Sequence, residues 1–223
     1  MDATPPDNSA SFPESFSNAA FASVASKAVS NIAEMLSEAE ATLTSHDTIV
    51  GDGDCGITMK RSAVALLEAL PTFATDKPSQ LFLEIADCVS KNQGGTSGAL
   101  FEIFCRAAAL SLRAAQDGGR KPADGGMVTE AMCRGVDEVM AAGGAQVGYR
   151  TMVDALAPAV SAARLGLGVA SIVAAAKAGA ETTKEMRALA GRSNYVPFEQ
   201  VRGVPDPGAV AVGIILEAIA KAC

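Results

Sequence analysis

"FASVASKAVSNIAEMLSEAEATLTSHDTIVGDGDCG", residues 21–56, passes from a regular apolar rhythm into a loop of glycines and aspartates. Phe21, Val24, Ala28, Ile32, Leu36, Ala39 and Leu43 recur every three or four residues, which predicts one apolar stripe along a long amphipathic helix from about Ser17. That helix delivers the chain to "HDTIVGDGDCGITMKR", His46 to Arg61, where Asp47, Asp52 and Asp54 share a short loop punctuated by Gly51, Gly53 and Gly56. Carboxylates this close repel one another unless a cation sits among them or water surrounds them fully.

The helical rhythm continues down the chain. Val64, Leu67 and Leu70 before Pro71 predict a second helix, and Leu81 to Val89, started by Ser79, a third. After "NQGGTSG", the run "ALFEIFCRAAALSLRAA" predicts a fourth, ended by the polar loop "QDGGRKPADGG". Val128, Met132, Val136 and Val139 mark a fifth, Thr151 to Ala163 a sixth with a kink at Pro158, and "GVASIVAAAKAGAETTKEMRALA" a long seventh capped by Gly191. "GRSNYVPFEQVRGVPDPGA" is too rich in Pro and Gly for a helix, and "GAVAVGIILEAIAKA" is the eighth. Strand alternation is nearly absent, and "TIV" at Thr48 to Val50 is too short to build a sheet. With 49% hydrophobic residues, 4% aromatics and no Trp, the composition suits closely packed helices. The expected fold is all-α: an eight-helix antiparallel bundle or barrel whose loops converge on a ligand at one end. Residues 1–16, rich in Pro, Ser, Asp and Asn, read as a flexible tail, and residues 17–223 as one domain.

A net charge of -7 argues against nucleic acid or an anionic membrane surface as partner, because both need a basic face. No apolar run approaches a membrane span and no signal-peptide layout is present, so the chain reads as soluble and cytoplasmic. Five scattered cysteines without a C-x-x-C pair fit reduced thiols better than disulfides or zinc.

Two glycine-rich stretches carry the chemistry. Gly51 to Gly56 has the spacing that opens a phosphate loop, but Ile57 stands where its lysine belongs, and Asp52 and Asp54 would repel phosphate. A calcium loop counted from Asp52 fails at its twelfth position, Ala63, which lacks the bidentate glutamate. What survives is a magnesium site, since Mg²⁺ takes few carboxylates and completes its shell with water and phosphates; an ordinary solvated Asp-Gly turn is the competing reading. In the second stretch, "GGTSGALF", Gly94 to Gly98 precede a helix whose free N–H groups attract anions, and Thr96 or Ser97 acting as a helix cap is the alternative.

Taken in order, "DTIVGDGDCG", "GGTSGALFEIF", "RTMVDALAPA", "GRSNYV" and "VPDPGAVAV" resemble the successive motifs of the ATP-binding L domain of dihydroxyacetone kinases, the Dak2 or DhaL domain, in its ATP-dependent branch. The resemblance implies a helical barrel with nucleotide across one end. It implies that Asp47, Asp52 and Asp54 hold two Mg²⁺ ions bridging the phosphates of ATP, with Gly53 and Cys55 in the same nucleotide loop. Thr96, Ser97 and Gly98 would donate to phosphate oxygens, Thr151 and Met152 would border the adenine, and Arg192 with the Asp206-Pro207-Gly208 turn would close the site. One departure stands out: Tyr149 precedes Arg150 where the family usually has an acidic residue.

The implied function is the phosphoryl-donating half of a dihydroxyacetone kinase, passing the γ-phosphoryl of ATP to a small keto-polyol held by a separate K-type subunit or domain. No residue beyond the metal ligands is marked as catalytic. A nucleotide-sensing or adaptor module and a metal-dependent lyase that cyclises a nucleotide are the alternatives, and a homo-oligomer is left open. His46, the only histidine, is expected to tune the loop or face solvent rather than to anchor substrate.

Overall fold

The computed structural model describes residues 17–120 and 125–223, so the expected tail at 1–16 lies outside the described residues. Among the described residues there are helices and no strands. Eight long helices run as α1 Asn18–Val50, α2 Cys55–Ala69, α3 Pro78–Asn92, α4 Gly95–Asp117, α5 Gly125–Gly143, α6 Val153–Arg164, α7 Val169–Thr182 and α9 Pro207–Ala220. Between the last two lies α8, a single turn at Phe198–Val201.

Each long helix packs on its neighbour in the chain, and α9 packs on both α7 and α1, which closes the ring. The result is an eight-helix barrel rather than an open bundle. Its core is built largely from small side chains: Ala63, Ala108, Ala155, Ala176 and Ala211 are buried where helices meet. Small residues let helix axes approach closely, which is the physical use of so much alanine. At Pro158 the α6 ladder lacks one N–H, freeing the carbonyl of Asp154, and Gly179 of α7 comes against that carbonyl where any side chain would collide.

Several boundaries differ from the sequence expectation. Helix α1, capped at its start by the Ser17 hydroxyl accepting from Ala20 N–H, continues through Thr48-Ile49-Val50. Val50 is fully buried, and that packing overrides the weak helix preference of three β-branched residues. Asp47 therefore stands on the last turn of a helix, and the loop is only Gly51–Asp54. Helix α3 starts at Pro78, so Ser79 lies inside it, its hydroxyl donating to Gln116 Oε1. In α2 the buried apolar residues are Met59 and Ala63, while Val64 and Leu67 are exposed.

The polar stretch between α4 and α5 is shorter than expected, because Gln116 and Asp117 finish α4 and Gly125 and Gly126 begin α5, with residues 121–124 outside the description. Helix α7 ends at Thr182, well before Gly191, which instead has φ 71° and opens a short 3₁₀ turn at Arg192–Tyr195. The cause is Thr183: its buried hydroxyl donates to the Ala180 carbonyl and accepts from Asp206 N–H at 2.8 Å, tying the end of α7 to the start of α9.

Candidate functional site

The C-terminus of α1 and the N-terminus of α2 meet across Gly51–Asp54, and the three aspartates converge there. One carboxylate oxygen from each of Asp47, Asp52 and Asp54 lies within 4.8 Å of the others. Asp47 is buried, and its Oδ2 accepts from Asp54 N–H at 2.8 Å and Cys55 N–H at 3.0 Å, which caps α2. Oδ1 faces Gly51, where a side chain would collide with it. Asp52 and Asp54 are exposed, and Gly53 between them has φ 79°, a conformation glycine adopts without strain. One buried and two exposed carboxylates, all hard oxygen donors, fit Mg²⁺. Arg192 reaches in from the 3₁₀ turn, with Nη1 2.9 Å from Asp52 Oδ2, so the triad already attracts a cation.

Helix α4 begins differently. Its first residue follows Gly94, and among the described residues no side chain caps it. Thr96 and Ser97 lie inside the first turn, so neither acts as the N-cap. Thr96 is exposed, Ser97 half-buried, and Gly98 buried against the carbonyl of Gln93, with no room for a side chain. Beside Gly94 and Gly95 there is open space. Uncapped N–H groups at the positive end of a long helix are suited to an anion. The turn that leads into this helix from the end of α3 is held to α2 by Arg61 Nε donating to the Asn92 carbonyl at 2.8 Å and by Gln93 Nε2 3.6 Å from Met59 Sδ.

A third group sits where α6 and α9 start. Asp154, buried in the first turn of α6, accepts from Gly148 N–H and Thr151 N–H, while Val153 N–H donates to the Thr151 hydroxyl. Asp154 reaching back to Thr151 N–H is one half of a capping box, the Thr151 hydroxyl taking Val153 N–H in place of Asp154 N–H, and it holds a turn in which Arg150 has φ 61°. The side chain of Arg150 is thereby driven inward, 1% exposed, donating from Nη2 to the Val204 carbonyl at 2.9 Å. Asp206 caps α9 through Oδ1, which accepts from Ala209 N–H. Burial pushes its carboxyl up to about 6, against the opposing pull of the Ala209 N–H and the Arg150 charge. Pro207 is buried behind it, and Met152 Cβ lies against Gly208. Thr151 and Met152 precede α6 rather than beginning it.

Two neighbours respond to this setting. Burial pushes the Cys55 thiol up to about 12, with Asp47 adding to the shift, so it is a protonated, unreactive group. Burial and then Lys184 lower the pKa of His46, whose Nδ1 is buried and has no hydrogen-bond partner among the described residues. The sequence reading missed the architectural role of Arg150, Asp154 and Thr183. The Thr-x-x-Asp spacing before an apolar run was a usable signal for Asp154; nothing local announces Thr183, whose partner lies 23 residues away.

A family model for the DAK2 domain matches residues 49–221. The chain is 37% identical over 195 residues to dihydroxyacetone kinase 2 of Saccharomyces cerevisiae, covering 84% of this chain and 32% of that protein. It is 38% identical over 191 residues to human triokinase/FMN cyclase, covering 81% of this chain and 32% of that protein. The crystal structure of the C. freundii dihydroxyacetone kinase with AMP-PNP and Mg²⁺ superposes with a TM-score of 0.71 at 29% identity, covering 99% of this chain and 37% of that one. The chain thus spans about a third of the length of the relatives it matches. With the family model matching most of its length, the chain belongs to the DAK2 domain family.

Proposed function

We propose that this chain binds Mg²⁺·ATP and donates the γ-phosphoryl to a hydroxyl of dihydroxyacetone or a similar small keto-polyol, as the nucleotide-binding part of a two-component kinase. The observation that carries the reading is the convergence of Asp47, Asp52 and Asp54 at one end of the barrel, with the turn that leads into the start of α4 held to α2 by Arg61. In this reading the three aspartates hold two Mg²⁺ ions, which would supply charge neutralisation to the phosphates. The start of α4, with Thr96, Ser97 and Gly98, binds phosphate oxygens. Thr151 and Met152 border the adenine; Arg192 and Asp206-Pro207-Gly208 close the site beside the nucleotide loop of Gly53 and Cys55.

The chain's residues position and neutralise rather than move protons, the pattern expected for phosphoryl transfer. The bond from the γ-phosphorus to the leaving ADP oxygen breaks as the polyol oxygen bonds to phosphorus, and the hydroxyl proton leaves to solvent or to the partner. A K-type subunit or domain would hold the polyol, in keeping with a chain that covers a third of its relatives. Residues 17–223 would form the one domain involved, acting in the cytoplasm; among the described residues no helix is long and apolar enough to cross a membrane.

The test is phosphorylation of dihydroxyacetone with Mg²⁺ and ATP, with and without a K subunit. Little turnover alone and a large increase with the K subunit are expected. No turnover in either condition would overturn the reading. A second reading, metal-dependent cyclisation of a nucleotide, is favoured by one observation, the name triokinase/FMN cyclase of the mammalian relatives. A cyclic flavin nucleotide formed by the chain without any polyol would support it.

A further inference from the structure

We propose that Gln93 is a positioning residue for Ser97, fixing the Ser97 hydroxyl so that its proton is presented to a phosphate oxygen at the start of α4. The inference rests on the reading that the start of α4 binds nucleotide phosphate.

The backbone of Gln93 is held on both sides. Its N–H donates to the Val89 carbonyl at 2.8 Å, ending α3, and its carbonyl fills the space beside Gly98. The side chain is 6% exposed. Its Nε2 lies 3.3 Å from Ser97 Oγ and 3.6 Å from Met59 Sδ. A thioether offers only lone pairs, so the amide nitrogen rather than the amide oxygen belongs on that side. Ser97 Oγ accordingly accepts from Gln93. A serine hydroxyl has one proton, and with a lone pair engaged by the amide that proton is free to point elsewhere. Among the described residues no group accepts it, and the adjoining space at Gly94 and Gly95 is open.

The arrangement matters because a free serine hydroxyl in the first turn of a helix can turn its proton back to a carbonyl one turn earlier. Gln93 removes that freedom before ligand arrives. Met59 completes the device: its sulfur takes the second amide proton and keeps Gln93 from rotating towards solvent. A residue in the core of the α2–α3–α4 contact thereby acts on the phosphate side without touching ligand.

The experiment is calorimetric titration with Mg²⁺ and AMP-PNP of the wild-type chain, Gln93→Met, Ser97→Ala and the double variant, with affinity expressed per folded molecule. Methionine keeps the length and burial of the side chain while deleting the donor. Gln93→Met should weaken binding about 3- to 10-fold and Ser97→Ala about 10-fold or more, with the double variant no weaker than Ser97→Ala alone. Gln93→Glu, which would capture the Ser97 proton and add negative charge, should bind more weakly than Ser97→Ala. Wild-type affinity in either Gln93 variant would overturn the proposal, as would full additivity in the double variant. Failure of the wild-type chain itself to bind Mg²⁺·AMP-PNP would strike the nucleotide reading on which the proposal stands.

Discussion

Helices α2 and α4 both start from glycine-rich turns, yet their N-termini are finished in opposite ways. At α2 the N–H groups of Asp54 and Cys55 are taken by Asp47 Oδ2, so the positive end of that helix is spent on holding a carboxylate in place. At α4 no side chain among the described residues caps the helix, and the glycines leave the backbone open. The same backbone device therefore serves charge of opposite sign. One helix start organises anions of the protein that invite a cation, and the other keeps its donors for an anion from outside. Glycine spacing does not distinguish the two; the identity of the residue that reaches the N–H groups does.

The largest effects should come from the acidic side. Asp54→Asn should weaken Mg²⁺-dependent ATP binding by more than about 100-fold, exceeding what outer-shell changes to metal sites cost. Its stability should change by less than about 0.5 kcal/mol, because Asp54 is exposed and its side chain does not cap α2. Asp47→Ala should lose binding to a similar degree and also about 1–3 kcal/mol of stability, since two N–H groups at α2 lose their acceptor. Chemical denaturation beside calorimetry separates the two; equal stability of both variants would break the contrast between a capping and a non-capping aspartate.

An intermediate effect is expected where α9 starts. The folded protein raises the Asp206 carboxyl from 3.8 to about 6, so it holds the proton more tightly than the unfolded chain does. Stability of the ligand-free protein should therefore fall as pH rises from about 4 through about 6. Asp206→Asn keeps an effective N-cap and removes the titration. The variant should match wild type near pH 4 and exceed it above the upper end of that window by roughly 1–3 kcal/mol. A stability difference independent of pH would show that Asp206 carries no buried charge.

The smallest effect is expected at His46, which neighbours Asp47 on α1. Among the described residues its Nδ1 has no partner to lose, and burial with Lys184 nearby favours the neutral ring. His46→Ala should retain kinase turnover within about 3-fold when a K subunit is present, the range of one weak contact. Abolished turnover would make His46 part of the chemistry.

Much of this was legible because it is periodic or compositional. The apolar stripe from Phe21 to Leu43 gives α1, and the alanine content with few aromatics gives closely packed helices. The two glycine-rich helix starts also stand in the sequence, since Gly51 to Gly56 and Gly94 to Gly98 are contiguous. The misread features depend on partners distant along the chain. Val50 is helical because it is buried, and α7 stops at Thr182 because Thr183 meets Asp206. Arg150 turns inward because Asp154 holds the turn and carbonyls at Val201 and Val204 receive its guanidinium. The cap reading of Ser97 failed for a related reason: the helix begins one turn earlier than a serine cap requires, at Gly95, and the hydroxyl is engaged by Gln93.

The proposed role of the acidic helix start depends on its acting through metal. Calorimetric titration of the wild-type chain with ATP, once in excess Mg²⁺ and once in EDTA, tests it most directly. Carboxylates and phosphates repel without bridging cations, so binding should be measurable in Mg²⁺ and lost in EDTA. Equal ATP affinity in the two conditions would contradict the assignment of Asp47, Asp52 and Asp54 as metal ligands.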